Sequence, residues 1–297
     1  MLQSIRSARA GSLLLLVTLT SAAFAAWAGC APAAPGPSEA PVSSASAAPS
    51  VSTDAPARAD GGLGGRIFDK WYEGTSFKPD DAKTPDRLKN LFGWDLRGAD
   101  GIYGPKYQKK KNVLPINLLK VEASREDLIV WLTSGHEGIP AYGEVLDAAK
   151  IAELADFIVA MREGKIARPE QVFDLSETAP GNYTLRSGGD PARGARLVRE
   201  RCASCHGHDG TQFLFDGGEF SLGSHARQKA YEDWMKILNG QPGTAMGRQV
   251  EGTNGPAMAQ EILDILAALC DRAAFPKGKA TAADVSDGDL RCGSYLR

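Results

Sequence analysis

Cys202-Ala203-Ser204-Cys205-His206 is a Cys-x-x-Cys-His run, the pattern at which a haem is joined to protein by two thioethers. With two residues between them, both sulfurs rise on one helical turn, and His206 follows in place to meet an iron as its proximal ligand. A disulfide or half of a zinc site is the alternative reading of such a pair. No second cysteine pair lies nearby in the sequence to complete a zinc tetrahedron. The expected cofactor is one covalently attached haem c.

The N-terminus carries Arg6 and Arg9, then an uncharged run from Gly11 to Gly29 rich in Leu, Ala and Val, the layout of a secretory signal peptide. Ala28-Gly29-Cys30 at its end resembles a bacterial lipoprotein processing site, although Trp27 departs from the small aliphatic residue usual there. That resemblance implies cleavage after residue 29 and a diacylated Cys30. An uncleaved membrane anchor is the alternative, since about 18 apolar residues suffice to span a bilayer. Either way the rest of the chain is expected on the periplasmic side of a membrane, tethered to it. Position 31 is Ala rather than Asp, which by the lipoprotein pattern points to the outer membrane.

Five cysteines are present. With Cys30 assigned to lipid and Cys202 and Cys205 to haem, Cys270 and Cys292 remain, and an oxidising compartment joins such a pair. Residues 30–61 are dominated by Ala, Pro and Ser, a composition that buries too little apolar surface to order itself and reads as a flexible stalk. A formal net charge of −2 argues against nucleic acid as a partner.

Asp190-Pro191 has the form of a helix cap followed by proline in the first turn, leading through Leu197 and Val198 to Cys202. A short amphipathic helix carries Trp234, Met235, Ile237 and Leu238, then comes Gly240-Gln241-Pro242-Gly243-Thr244-Ala245-Met246. A closing helix is expected from near Met258, with Ile262, Ile265, Leu266 and Leu269 on one face. With these motifs in this order, residues 186–297 resemble the class I c-type cytochromes. The resemblance implies that the first and last helices cross beside the haem and that Met246 is the distal ligand. Gly247 stands where the family usually has proline. Met258 is the rival, His225 a further one; Met235 reads as core, and His208 follows His206 too closely to reach the opposite face.

Residues 62–168 repeat the plan in outline. Gly64-Gly65-Arg66-Ile67-Phe68 opens it, a closing helix carries Ile151, Leu154, Ala155 and Ile158, and Leu88-Lys89-Asn90-Leu91-Phe92-Gly93-Trp94-Asp95 looks like a haem-attachment region. Leu88, Leu91 and Phe92 stand at the places of two cysteines and a histidine, and Ile139 at that of the distal methionine. Apolar residues there fill volume but bind no iron. An unrelated helical domain is the alternative. His136 reads as a surface or hydrogen-bonding residue. Lys106, Lys109, Lys110 and Lys111 form a solvated basic cluster, with steering of an acidic redox partner as its functional reading.

The expected fold is mainly α, with two cytochrome c-like helical domains in tandem, at 62–168 and 186–297, joined by a linker at 169–185, only the second carrying haem. The expected function is electron transfer between redox protein partners, with no substrate of its own. A haem-containing subunit, or a ligand-binding or catalytic haem protein with a labile sixth ligand, is the alternative.

Overall fold

In the computed structural model the chain divides into residues 1–54 and 55–297. The structure describes residues 62–73, 85–104, 112–175 and 183–297, all in the second unit. The signal peptide, Cys30, the Ala/Pro/Ser-rich stalk and the lysine cluster at 106–111 lie outside the described residues.

The fold is mainly helical. In chain order its elements are α1 (Leu63–Lys70), α2 (Leu88–Phe92), α3 (Arg125–Ser134), α4 (Ala148–Arg162), α5 (Pro169–Val172), β1 (Phe173–Leu175), β2 (Tyr183–Leu185), α6 (Pro191–Leu197), α7 (Ala203–His206), α8 (Leu222–Asn239) and α9 (Gly255–Leu269). The longer helices start where a side chain accepts an otherwise orphaned backbone N–H. Asp147 accepts from Lys150 N, Asp190 from Ala192 N and Arg193 N, and Asn254 from Ala257 N. Ser124 forms a reciprocal box with Asp127, and Ser221 with Ser224.

Two departures from the sequence reading are physical. The short helix ahead of Asn239 is the end of an 18-residue helix, α8, and the closing helix begins three residues before Met258, at Gly255 behind its Asn254 cap. Residues 169–175 and 183–185 are more than a linker: α5 leads into β1, which pairs antiparallel with β2, Phe173 opposite Leu185. Val172, Phe173 and Leu185 are buried there, so burial of these few apolar side chains holds residues 169–175 and 183–185 in place.

The halves on either side of that strand pair follow one plan. α1 crosses α4, and a Cβ at Gly64 would lie 2.2 Å from the Glu153 carbonyl oxygen; α6 crosses α9, and a Cβ at Gly194 would lie 1.8 Å from that of Asp264. Both crossings therefore need the missing side chain. The turns α2 and α7 match residue for residue: Leu88, Leu91, Phe92 and Gly93 correspond to Cys202, Cys205, His206 and Gly207. Gly93 (φ 73°, ψ 169°) and Gly207 (φ 81°, ψ 163°) end them in the same left-handed conformation, each donating its N–H to the carbonyl four residues back. Two residues further on, Asp95 and Asp209 each accept a backbone N–H, from Arg97 and Thr211.

The halves are tied together by buried polar contacts. The Asp69 carboxylate, on α1, meets Lys89 Nζ of α2 at 2.6 Å and also Lys236 Nζ of α8. Both ammonium groups lie over the Trp94 ring, at 3.8 and 5.0 Å. Burial pulls the Lys89 amine down to about 8 against the opposing pull of Asp69. Arg66 Nη1 donates to the Asn239 carbonyl at 2.7 Å, and Tyr231 Oη donates to Asp95 at 3.2 Å.

Candidate haem-attachment site

A single π turn, Val198–Cys202, connects α6 to α7. This wider turn, of a kind that recurs at functional sites, sets where Cys202 emerges relative to Cys205 and His206. Cys202 is buried and Cys205 exposed, and both are free thiols. Burial pushes the Cys202 thiol up to about 11. The His206 ring is half-buried, stacked on Phe215 at 5.5 Å between centroids, with Phe213 edge-on at 6.1 Å. Burial lowers its basicity, and the charge of Asp233 opposes that. Its Nδ1 is buried with no hydrogen-bond partner.

Behind Phe215 lies a polar pair. His225 sits 5.1 Å from the Phe215 ring, and its Nδ1 is 2.8 Å from Asp233 Oδ1. Both residues belong to α8, eight positions apart, which on a straight helix separates them by about 12 Å along the axis. Lys229 between them leaves the helical conformation (φ −132°, ψ 33°), and this kink closes the distance. Burial pulls the His225 imidazolium down, but the Asp233 charge and hydrogen bond, with Glu232, outweigh it and leave a net upward shift against Lys229. The fold therefore holds this proton more tightly than the unfolded chain does. That contribution is complete below about pH 6.5, the ordinary histidine value, and is lost as pH rises through the raised value. His225→Gln is expected to cost more stability at pH 6 than at pH 9 in denaturant titrations; an equal cost at both would remove the linkage.

The other sequence candidates occupy distinct places. Met246 is half-buried in the loop after α8. Its carbonyl accepts from Gln241 N at 3.0 Å and its N–H donates to Thr244 Oγ1 at 3.1 Å, so the loop backbone is pinned on both sides of the thioether. The space beside Gly247 is open. Met258 is buried in the first turn of α9, and Met235 is buried in α8, where its sulfur receives Asn239 Nδ2 at 3.2 Å. His208 is exposed. His136 stacks on Trp131, with ring centroids 3.9 Å apart. The sulfurs of Cys270 and Cys292 are bonded, with Cα atoms 6.0 Å apart. Phe213 and Phe215 carry no sequence motif, and only the folded chain brings them to the α7 turn.

In the first half the matching positions are filled by apolar side chains. Leu88, Leu91 and Phe92 are buried at 0–1% exposure, and Ile139 is buried with them. The loops holding Ile139 and Met246 also correspond. Gly135 and Gly240 end α3 and α8, and a Cβ at either would press on the carbonyl oxygen of Ile139 (3.1 Å) or Met246 (2.3 Å).

Among the described residues no group of three or more His, Cys, Asp or Glu side chains is placed to hold a metal ion, and no helix is long and apolar enough to cross a membrane. Comparison with protein-family models, with curated proteins and with solved structures gives no match for this chain.

The α7 turn nevertheless fits a haem by its donor set. Two unbonded thiols and an imidazole lie within five residues, and the imidazole's second nitrogen is buried without a partner.

Proposed function

We propose that the chain is a membrane-tethered, periplasmic monohaem c-type cytochrome that carries single electrons between redox protein partners. The observation that carries this reading is the α7 turn, with a buried Cys202, an exposed Cys205 and a His206 whose Nδ1 lacks a partner. Tethering rests on the sequence around Cys30.

A bound haem c supplies a reversible one-electron Fe(II)/Fe(III) couple. Cys202 and Cys205 would hold it by thioethers, with His206 as one axial ligand and Met246 as the other. The correspondence of Met246 with Ile139 supports this choice over Met258 and Met235, both of which pack in helices. Cys202 and Phe215 border the turn on its protein side and limit water there, whereas the exposed Cys205 and Phe213 leave one edge open to a partner. The filled positions of the first half support a haem-free role in structure or docking, so the expected count is one haem per chain.

The test is the haem content and ferric absorption spectrum of the soluble region, matured in a host that attaches haem covalently. One low-spin haem with the weak far-red sulfur-to-iron band is expected; two haems, or a single high-spin iron, would count against the reading. Met246→Ala is expected to shift the redox equilibrium at least tenfold toward ferric iron, a drop of about 59 mV, and to admit carbon monoxide to the reduced protein. An unchanged potential and spectrum would remove Met246 from the role.

A further inference from the structure

Met246 lies between α8 and α9, far downstream of His206, so an iron held by both needs that stretch fixed against the attachment turn. Arg201, the residue before Cys202, is bonded to it directly. Its Nη1 donates to the Gln249 carbonyl at 2.9 Å and to Glu261 Oε2 of α9 at 2.6 Å, and its Nη2 donates to Glu251 Oε2 at 3.0 Å. The same Glu261 oxygen accepts from Glu251 N at 3.0 Å. Gln249 donates its N–H to the Ile237 carbonyl of α8 at 2.9 Å and its Nε2 to the Gly247 carbonyl, next to Met246, at 2.7 Å. One guanidinium thus ties the attachment turn, the Met246 loop and the closing helix together. The Arg201 and Glu261 side chains are only 18% and 10% exposed, which shields these charge-assisted bonds from screening. A planar fork suits three acceptors in fixed directions, whereas a lysine ammonium would meet them as a point charge. The first half supplies an internal comparison. Arg87 precedes Leu88 as Arg201 precedes Cys202. Among the described residues no bond joins its guanidinium to the Ile139 loop, which closes on its own backbone: His136 N donates to Ile139 O at 3.0 Å and Ile139 N to His136 O at 2.7 Å. Both halves carry the arginine, and the tie is made in the half whose loop offers a thioether.

We propose that Arg201, braced by Glu261, is a positioning residue that holds the Met246 loop in register with the attachment turn and so sets how readily the sixth iron position opens. This rests on the reading of Met246 as the distal ligand. Arg201 touches neither iron nor porphyrin in this role; it acts through Gln249 and Gly247 on the backbone that carries the thioether.

The test compares wild type, Arg201→Leu, Arg201→Lys and Arg193→Leu, each matured with haem in the full soluble region. Haem content and the far-red sulfur-to-iron band are read first; a wild type that takes up no haem, or shows no such band, overturns the underlying reading and this inference with it. With both in place, the rate at which the reduced protein binds carbon monoxide reports opening of the sixth position. Arg201→Leu is expected to raise it about tenfold or more, the factor carried by one charge-assisted hydrogen bond, and Arg201→Lys to fall between. Arg193→Leu removes an ion pair from α6 to α9, made with Asp264 at 2.8 Å; it is expected to lower the denaturant midpoint and leave the rate unchanged. Arg201→Leu that loads haem fully yet keeps the wild-type rate overturns the inference and leaves the cytochrome reading intact. An equal rise in Arg193→Leu does the same, since it would mark a general loosening of the domain. Should Arg201→Leu fail to mature, Glu261→Gln is read in its place: a faster rate is expected, and an unchanged one overturns the proposal.

Discussion

Replacement of both Cys202 and Cys205 by serine is expected to abolish covalent haem completely. Matured in a host that attaches haem through thioethers, the wild-type chain should keep its haem on a denaturing gel and in the mass of the unfolded protein; the double variant should keep none. The effect is total because each thioether is a covalent bond, unlike packing or hydrogen bonds worth a few kcal/mol. The two sulfurs also differ in setting, Cys202 buried against the fold and Cys205 exposed. Either single variant should retain one bond and a correspondingly altered spectrum. Covalent haem surviving in the double variant would mean attachment elsewhere and would sink the assignment of the α7 turn.

Gly194→Ala is the second large effect. Its Cβ would sit 1.8 Å from the Asp264 carbonyl oxygen and 3.0 Å from the Ala268 Cβ, so α6 and α9 must separate. α9 has little freedom to move, because the Asp264 carboxylate accepts from Asp190 N, Arg193 Nη1 and Gln260 Nε2, each at 2.8 Å. Overpacking against backbone, with those bonds at stake, is expected to cost about 3 kcal/mol or more, a large part of an ordinary domain's stability. Gly288→Ala, with nothing within 4 Å of its Cβ, is the control and should fall within about 0.5 kcal/mol of wild type. A denaturant midpoint for Gly194→Ala equal to that of the control would show that the crossing yields without cost.

Much of this fold was legible because its signals are local. Asp190-Pro191 announces α6 in two residues, and Gly-Trp-Asp after Leu88-Lys89-Asn90-Leu91-Phe92 gives the register of α2 against α7 without reference to any distant contact. The pairing of Cys270 with Cys292 followed from the account of five cysteines and the expected compartment. α8 was read too short because its first half carries Gly223, Ser224, Gln228 and Lys229, which blur the apolar stripe; its start is a Ser221–Ser224 cap rather than a hydrophobic period. The strand pair at 173–175 and 183–185 escaped because three-residue strands leave almost no alternation to detect. The His225–Asp233 pair lay beyond sequence reasoning altogether. Helical spacing puts those two residues apart, and the kink at Lys229 joins them, so the pair has no signature in the chain order.

The joint built on Asp69 has a consequence for the order in which the molecule takes shape. Its two lysines are supplied from the two halves of the fold, and Lys236 is 167 residues downstream of the carboxylate it meets. During synthesis the first half is complete long before Lys236 exists, and Asp69 must wait, half-neutralised by Lys89 alone. A contact of such long sequence separation forms late, since the loop it closes has to be ordered before the contact returns any free energy. The nascent first half therefore spends its early life with an open face at Asp69 and Trp94, the surface that α8 later covers. That interval, rather than the finished fold, is when the chain is most exposed to misassociation.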